Sequence, residues 1–310
     1  MKVKVAVIQH APVFFDKEKT LQKLETLVSE YSSQGCRLLL FPESFIPGYP
    51  RGFTFGASVG SRDEAGRELY AEYLDNSIAL DADRERLEKI AAKYKVYLVI
   101  GVTEREAKGR SLFCSMLYIS PKNGLLGVHR KIKPTGTERV VWSEAGGESL
   151  VSFDTNVGKL GGLICWENYM PLARMAMYRQ GVQIYLAPTA DARESWVSSM
   201  QHIALEGRCF VLGCNQYFTR EMYPRKYRDL LPDTPEEICP GGSVIISPSG
   251  KILAGPLWND SGVLLAELDL DEIKKVSLDF DVTGHYARND IFDLKIQDQP
   301  PMKKEVDESD

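Results

Sequence analysis

No stretch of this 310-residue chain runs to 18 consecutive apolar residues, so no membrane-spanning helix is expected. The apolar run near the start, VAVI, is too short for a signal-peptide core and ends in Gln9 and His10. Cysteine is sparse and scattered, at Cys36, Cys114, Cys165, Cys209, Cys214 and Cys239, which excludes the disulfide framework of a small secreted domain. These shortages together point to a soluble, cytoplasmic protein. Four histidines lie far apart and no C-x-x-C pair exists, so the spacings of a zinc site are missing and no metal is expected. A P-loop and a G-x-G-x-x-G after a strand are missing too, and with them the usual fingerprints of nucleotide cofactors; no cofactor is expected. Nor is there an excess of positive charge. With 38 basic and 43 acidic side chains the net charge is −5, which gives no broad footprint for nucleic acid or an anionic membrane. A small-molecule ligand stays open.

What is present is ordinary globular material, 44% hydrophobic and 26% charged. Short apolar runs at 3–8, 37–41, 96–102, 112–119, 125–129, 160–165, 183–187 and 210–214 read as strands. Between them, residues 17–31, 65–74, 83–94, 170–180 and 196–206 carry apolar side chains at helical spacing. Residues 243–247 and 252–254 flank the turn SPSG and read as a hairpin, as do 112–119 and 125–129 around SPKNG. The alternation argues α/β layers in a single domain over residues 1–300. Residues 218–240, polar and rich in proline, read as a long irregular loop, and 301–310 as a disordered acidic tail.

Ligands of open α/β sheets sit beyond the carboxyl ends of the strands, so polar residues just after apolar strands are the first candidates. Three qualify: Glu43 after LLLFP, Lys131 after LLGVHR, and Cys165 closing LGGLIC. Each alone has a plain structural explanation, since cysteine is commonly a core residue and single charges commonly face solvent. Together they supply a nucleophile, a base and a cation. A carboxylate can take the thiol proton, and an ammonium can stabilise the thiolate and the negative charge that develops when sulfur attacks a carbon–heteroatom multiple bond. The backbone N–H of Trp166 is placed by sequence to assist. Gly56, Ser58 and Gly60 match G-x-S-x-G, but they lie in an aromatic, Pro- and Gly-rich stretch instead of a strand-to-helix turn, so they read as loop formers.

Read together, FPESF, HRKIKPTGTERVVW and GGLICWENYMPLARMAMY resemble, in order and spacing, the nitrilase branch of the nitrilase (carbon-nitrogen hydrolase) superfamily. The resemblance continues through APTADARESW, HIALEGRCFVLGCNQY, GGSVIISPSGKILAGP and FDVTGHYAR, and RGFTFGASVGSR with CWEN looks most like plant-type nitrilases, a group that includes β-cyanoalanine nitrilases. The family implies an α-β-β-α sandwich that stacks through its helices in a dimer, extended in some members into spirals. It also implies Cys165 as nucleophile, Glu43 as base, Lys131 as the cation, and Glu138 as a further glutamate supporting the lysine. Trp166, Tyr49, Trp142, Thr189 and Ala190 become candidate pocket residues. One departure is Lys133, where an apolar residue is expected. The implied reaction converts R–C≡N and two waters to R–COOH and ammonia, with the amide as a competing product. An amidase or carbamoylase of the same superfamily is the alternative enzyme, and a non-catalytic assembly protein the alternative of another class.

Overall fold

The computed structural model describes residues 1–231 and 235–297. The first strand, Lys2–Gln9, shows how the sequence builds the layers. Its side chains alternate: Val5 and Val7 join one buried cluster, Ala6 and Ile8 another. A strand whose two faces are both apolar must be covered on both sides.

One sheet runs in the order Gly262–Asp269, Lys2–Gln9, Leu38–Leu40, Tyr97–Arg105, Leu112–Ser120, Gly124–Arg130. The other runs Tyr217–Thr219, Glu237–Ile246, Phe210–Cys214, Ile184–Pro188, Gly158–Gly162, Ser152–Thr155, with Ile252–Trp258 paired to Glu237–Ile246. Three clusters of buried side chains define the stacking. Val5, Val7, Leu40, Val99 and Met116 of the first sheet meet Leu160, Leu186, Leu212 and Ile245 of the second. The opposite face of the first sheet is covered by Leu21, Leu24 and Val28 of helix Lys17–Ser33 and by Leu87 and Ile90 of helix Leu80–Tyr94. The opposite face of the second is covered by Ala173, Ala176 and Met177 of helix Pro171–Arg179 and by Trp196, Met200 and Ile203 of helix Ser195–Gly207. The order is helix, sheet, sheet, helix, which is the expected α-β-β-α sandwich. Burying one such side chain fully contributes about 1.5–3 kcal/mol, so every layer boundary is strongly specified. Both expected hairpins form with antiparallel registers.

Two expectations are corrected. Residues 218–240 are not one irregular loop: strand Glu237–Ile246 begins inside the segment and pairs with Tyr217–Thr219, and a short helix, Arg225–Arg228, lies between the two in the chain. Proline misled the reading, because Pro240 is tolerated in a strand interrupted by a register shift. The strand expected over 160–165 stops at Gly162, where a Cβ would overlap the Leu186 carbonyl of the neighbouring strand. Cys165 therefore stands in a turn beyond the strand and does not close it. Residues 301–310 lie outside the described residues. No described helix is long and apolar enough to cross a membrane.

Candidate active site

Glu43 reaches the site because the strand Leu38–Leu40 ends just before Pro42. The backbone there lies directly on Gly101: a Cβ at Gly101 would overlap Pro42 O and sit 2.6 Å from the Glu43 Cα. Gln216 Nε2 donates to the Glu43 carbonyl at 2.6 Å, and Ser44, in the left-handed region at φ 47°, is fixed by Thr103 Oγ1 at 2.8 Å. Lys131 follows the strand Gly124–Arg130 and is held by its own N–H on the Cys114 carbonyl at 2.8 Å.

The two side chains meet in the interior. Lys131 Nζ donates to Glu43 Oε1 at 2.7 Å and to Glu138 Oε2 at 2.8 Å, with Lys131 and Glu43 both fully buried. Glu138 is itself fixed by the Tyr49 hydroxyl at 2.7 Å and the Thr135 N–H at 2.6 Å. The Cys114 thiol donates to Glu43 Oε1 at 3.4 Å, while Glu43 Oε2 is buried without a partner among the described residues. One carboxylate oxygen is thus fully engaged and the other is free to accept a proton.

Cys165 opens the turn Cys165–Tyr169 at φ 50°, a left-handed conformation that costs a non-glycine residue about 1–2 kcal/mol. Asn168 holds that turn: its Nδ2 donates to the carbonyls of Leu163 (2.9 Å) and Cys165 (2.8 Å), and Tyr185 Oη donates to its Oδ1 at 2.8 Å. Thr189 Oγ1 donates to the Cys165 sulfur at 3.2 Å.

Burial, reinforced by the Glu43 charge and opposed by Lys131, pushes the Cys165 thiol well above its ordinary pKa. The resting group is therefore a thiol, which would need a base to become a thiolate. Burial also raises Glu43, against the pull of Lys131. For Lys131 burial works against the ammonium, but Glu43 and the nearby thiols and Glu138 outweigh it and keep the side chain charged. Cys165 feels the charges of Glu43 and Lys131, and Lys131 feels those of Glu43 and Cys165.

Cys165 lines a cavity of about 220 Å³ together with Tyr49, Glu138, Trp166, Ala190 and Asp191. A second cavity of about 350 Å³, walled by Phe53, Phe55, Val141 and Trp142, shares Tyr49, Arg51 and Glu138 with the first. Of the five pocket residues expected from sequence, Tyr49, Trp166 and Ala190 line the same cavity as Cys165. Trp142 lines the neighbouring one with its ring 5.8 Å from Lys131 Nζ, and Thr189 sits behind the sulfur. Trp166 is 41% exposed and is anchored by Asp191 Oδ2 at 2.8 Å. Ser58 lies on the surface, hydrogen-bonded to Ser61. Lys133 pairs with Glu144 in solvent, so the departure at that position leaves the buried cluster untouched.

A family profile described as carbon-nitrogen hydrolase matches residues 4–277. The chain is a carbon-nitrogen hydrolase of the nitrilase branch. Its sequence is 48% identical over 304 residues to a bifunctional nitrilase/nitrile hydratase of Nicotiana tabacum, covering 96% of this chain and 86% of that protein. It is 44% identical over 301 residues to an aliphatic nitrilase of Sinorhizobium fredii, covering 96% and 97%. Among solved structures, a carbon-nitrogen hydrolase from Helicobacter pylori G27 superposes with TM-score 0.73 at 21% identity, over 94% of this chain and 97% of that one. An amidase from a Nesterenkonia species gives 0.66 at 21% identity, over 88% and 92%. These structural likenesses speak for the fold.

For this nitrilase-branch hydrolase, several residues around the site were missed by sequence reasoning. Arg51 lines both cavities and donates to the Ala190 carbonyl, and Asp191 anchors Trp166. Gln216 braces Glu43, and Asn168 braces the cysteine turn. Only Asn168 carried a signal, its place in CWEN.

Proposed function

We propose that this hydrolase converts organic nitriles to carboxylic acids and ammonia through covalent intermediates on Cys165. The observation that carries the reading is that Cys165 and Glu138 line the same small cavity and that the Cys165 thiol is electrostatically coupled to a sealed carboxylate–ammonium pair. Glu43, through its unpartnered Oε2, takes the thiol proton as sulfur attacks the nitrile carbon, and passes it to the nitrogen, giving a thioimidate. Lys131 and the Trp166 N–H stabilise the charge that develops on nitrogen. Water adds, ammonia departs with a proton from Glu43, and a thioester remains. A second water, deprotonated by Glu43, releases R–COOH and returns the thiol. The sum is R–C≡N + 2 H2O → R–COOH + NH3. If the tetrahedral intermediate expels sulfur before ammonia, one water is consumed and R–CONH2 leaves. The similarity to proteins named bifunctional nitrilase/nitrile hydratase supports both outlets.

Glu138 positions Lys131 and the substrate, and Tyr49, Trp142, Trp166, Thr189 and Ala190 shape the space for the organic group. Pairing of protomers through the helical layer belongs to the same reading. It is supported by Leu172 (70% exposed) and Leu205 (42%) on the outer helices, and light scattering that finds only single chains of about 35 kDa removes it. The catalytic proposal is tested with aliphatic, arylacetic and β-cyano amino acid nitriles, measuring ammonia, acid and amide while mass spectrometry follows the adduct at Cys165. Turnover of amides alone would move the enzyme to the amidases; no adduct and no turnover would favour an assembly role.

A further inference from the structure

Lys131 and Cys165 belong to different sheets, and nothing in the sheet ladders fixes their separation. Lys131 follows the edge strand Gly124–Arg130 of one sheet, and Cys165 follows Gly158–Gly162 of the other. One buried carboxylate joins them. Glu167 Oε1 accepts the N–H of Ile132 at 2.7 Å, and its Oε2 accepts the N–H of Ile164 at 2.8 Å. Those are the residue just after the lysine and the residue just before the cysteine. His129 Nε2 meets the same Oε2 at 2.8 Å, and its Nδ1 meets the Ser149 carbonyl at 2.7 Å. Ser149 in turn grips the strand end through both the N–H and the carbonyl of Arg130. His129 and Glu167 are 0% and 1% exposed.

Both ring nitrogens of His129 therefore face acceptors, the arrangement of an imidazolium paired with a carboxylate. Burial opposes that charge, but Glu167 and the Ser149 carbonyl outweigh it and hold the imidazole above its ordinary pKa. A carboxylate that accepts three donors in a water-free interior cannot give them up without leaving buried N–H groups unpaired, so its position is stiff.

We propose that Glu167, oriented by His129, is a positioning residue that clamps the two sheets together and sets the placement of the Cys165 sulfur relative to Lys131 and Glu43. It rests on the nitrilase reading for its effect on turnover, though not for the geometry. Glu167 touches none of the three groups, so its contribution is to register; a shift of about 1 Å at a reacting centre can cost on the order of 100-fold in rate.

The test compares Glu167→Gln and His129→Asn with the wild type in the full chain. The amide of E167Q keeps one acceptor but turns an N–H2 toward a backbone N–H, so one sheet is released. The expected result is a fall in kcat of about 100-fold with KM within about threefold, in protein that melts cooperatively. Alkylation of Cys165 by iodoacetamide, followed by peptide mass mapping, is expected to slow by about tenfold, because the sulfur no longer meets its base. H129N leaves both backbone N–H bonds to Glu167 in place while removing its imidazole partner and that ring's contact with the Ser149 carbonyl; a loss of about tenfold in kcat at unchanged KM is expected. A purely structural role would lower the melting temperature while leaving the folded fraction with normal kcat and normal alkylation, and that outcome overturns the proposal. So does wild-type kcat in either folded variant. If E167Q does not fold, H129N decides by the same split. If the wild type turns over no nitrile, the functional reading fails, yet the alkylation rates still decide the clamp.

Discussion

The surface of the first helical layer and the seam between the sheets use the same ionic residues to opposite ends. On the surface, Lys93 pairs with Glu25 at 2.8 Å and Arg84 with Glu88 at 2.6 Å, with the basic partners more than half exposed. Such pairs exchange water for a partner at little net gain and are screened by salt. In the seam, Lys131, Glu43 and Glu138 make contacts of the same length with almost no exposure. There every charge is costly unless paired, the pairing is stiff, and the carboxylate that keeps one oxygen unpartnered is also one whose charge the Cys165 thiol feels. Distance alone would rank the two regions equally; burial separates a solubility device from a reactive one.

The sharpest break comes from removing the proposed nucleophile. Cys165→Ala is expected to abolish nitrile turnover, by at least about 10⁴-fold, and to leave no mass adduct. Its melting temperature should stay near that of the wild type, since the change removes only a sulfur from a strained turn. Measurable turnover by this variant would remove the thiol from the chemistry.

Next in size is Lys131→Met, which matches the alkyl volume and deletes the charge. Glu43 and Glu138 are then left facing each other without a cation, and breaking a buried pair this way costs about 3–5 kcal/mol. Activity should fall by about 10³-fold through loss of charge stabilisation. Chemical denaturation and kinetics on the same preparation check both. A destabilisation as small as that of a surface pair would contradict the comparison.

The two regions should also respond to pH with opposite sign. The Lys93 hydrogen bond holds Glu25 below its ordinary pKa, so its contribution is present above the unfolded value and is lost as pH falls through the folded one. Glu43 is raised, chiefly by burial. Between its ordinary value of 4.5 and the folded value the native chain binds the extra proton. Stability from this group therefore falls as pH rises through that window, while activity rises, because only the ionised carboxylate can take the thiol proton. The acid limb of kcat/KM is expected above 4.5, and Glu43→Gln should lose activity across the whole range. An acid limb at or below 4.5 would leave the buried carboxylate without the role assigned to it.

Much of this contrast was legible in the sequence. Glu43, Lys131 and Cys165 announce themselves because each follows an apolar strand whose direction the alternation of elements implies, and the layers follow from strands such as Lys2–Gln9 that are apolar on both faces. Glu138 had no such signal, since it sits in a short 3-10 turn, Gly136–Val140, and entered only through resemblance. Trp142 and Trp166 look alike in sequence, yet one is sealed and the other 41% exposed, because burial depends on what the neighbouring loops cover. The left-handed Cys165 was hidden as well: nothing in LGGLIC says that the strand stops at Gly162 or that a turn begins at Cys165, held by Asn168. Local pattern reveals periodicity and chain order; contacts between segments far apart in the chain are decided by packing.

The smallest expected effect is the control on which the comparison depends. Lys93→Ala removes the partner of Glu25 and an ammonium lying 4.8 Å from the centroid of the Tyr94 ring. The lysine is 62% exposed, so water replaces both contacts at once, and neither the melting temperature nor kcat/KM should move beyond the reproducibility of the measurement. Raising the salt concentration should shrink even that difference, because screening acts on exposed charges and reaches the sealed cluster weakly. If instead K93A lost as much stability as K131M, charge pairing itself would be the stabilising principle in both regions. Burial would then no longer explain why one set of lysine–glutamate contacts supports the reactive sulfur and the other merely decorates a helix.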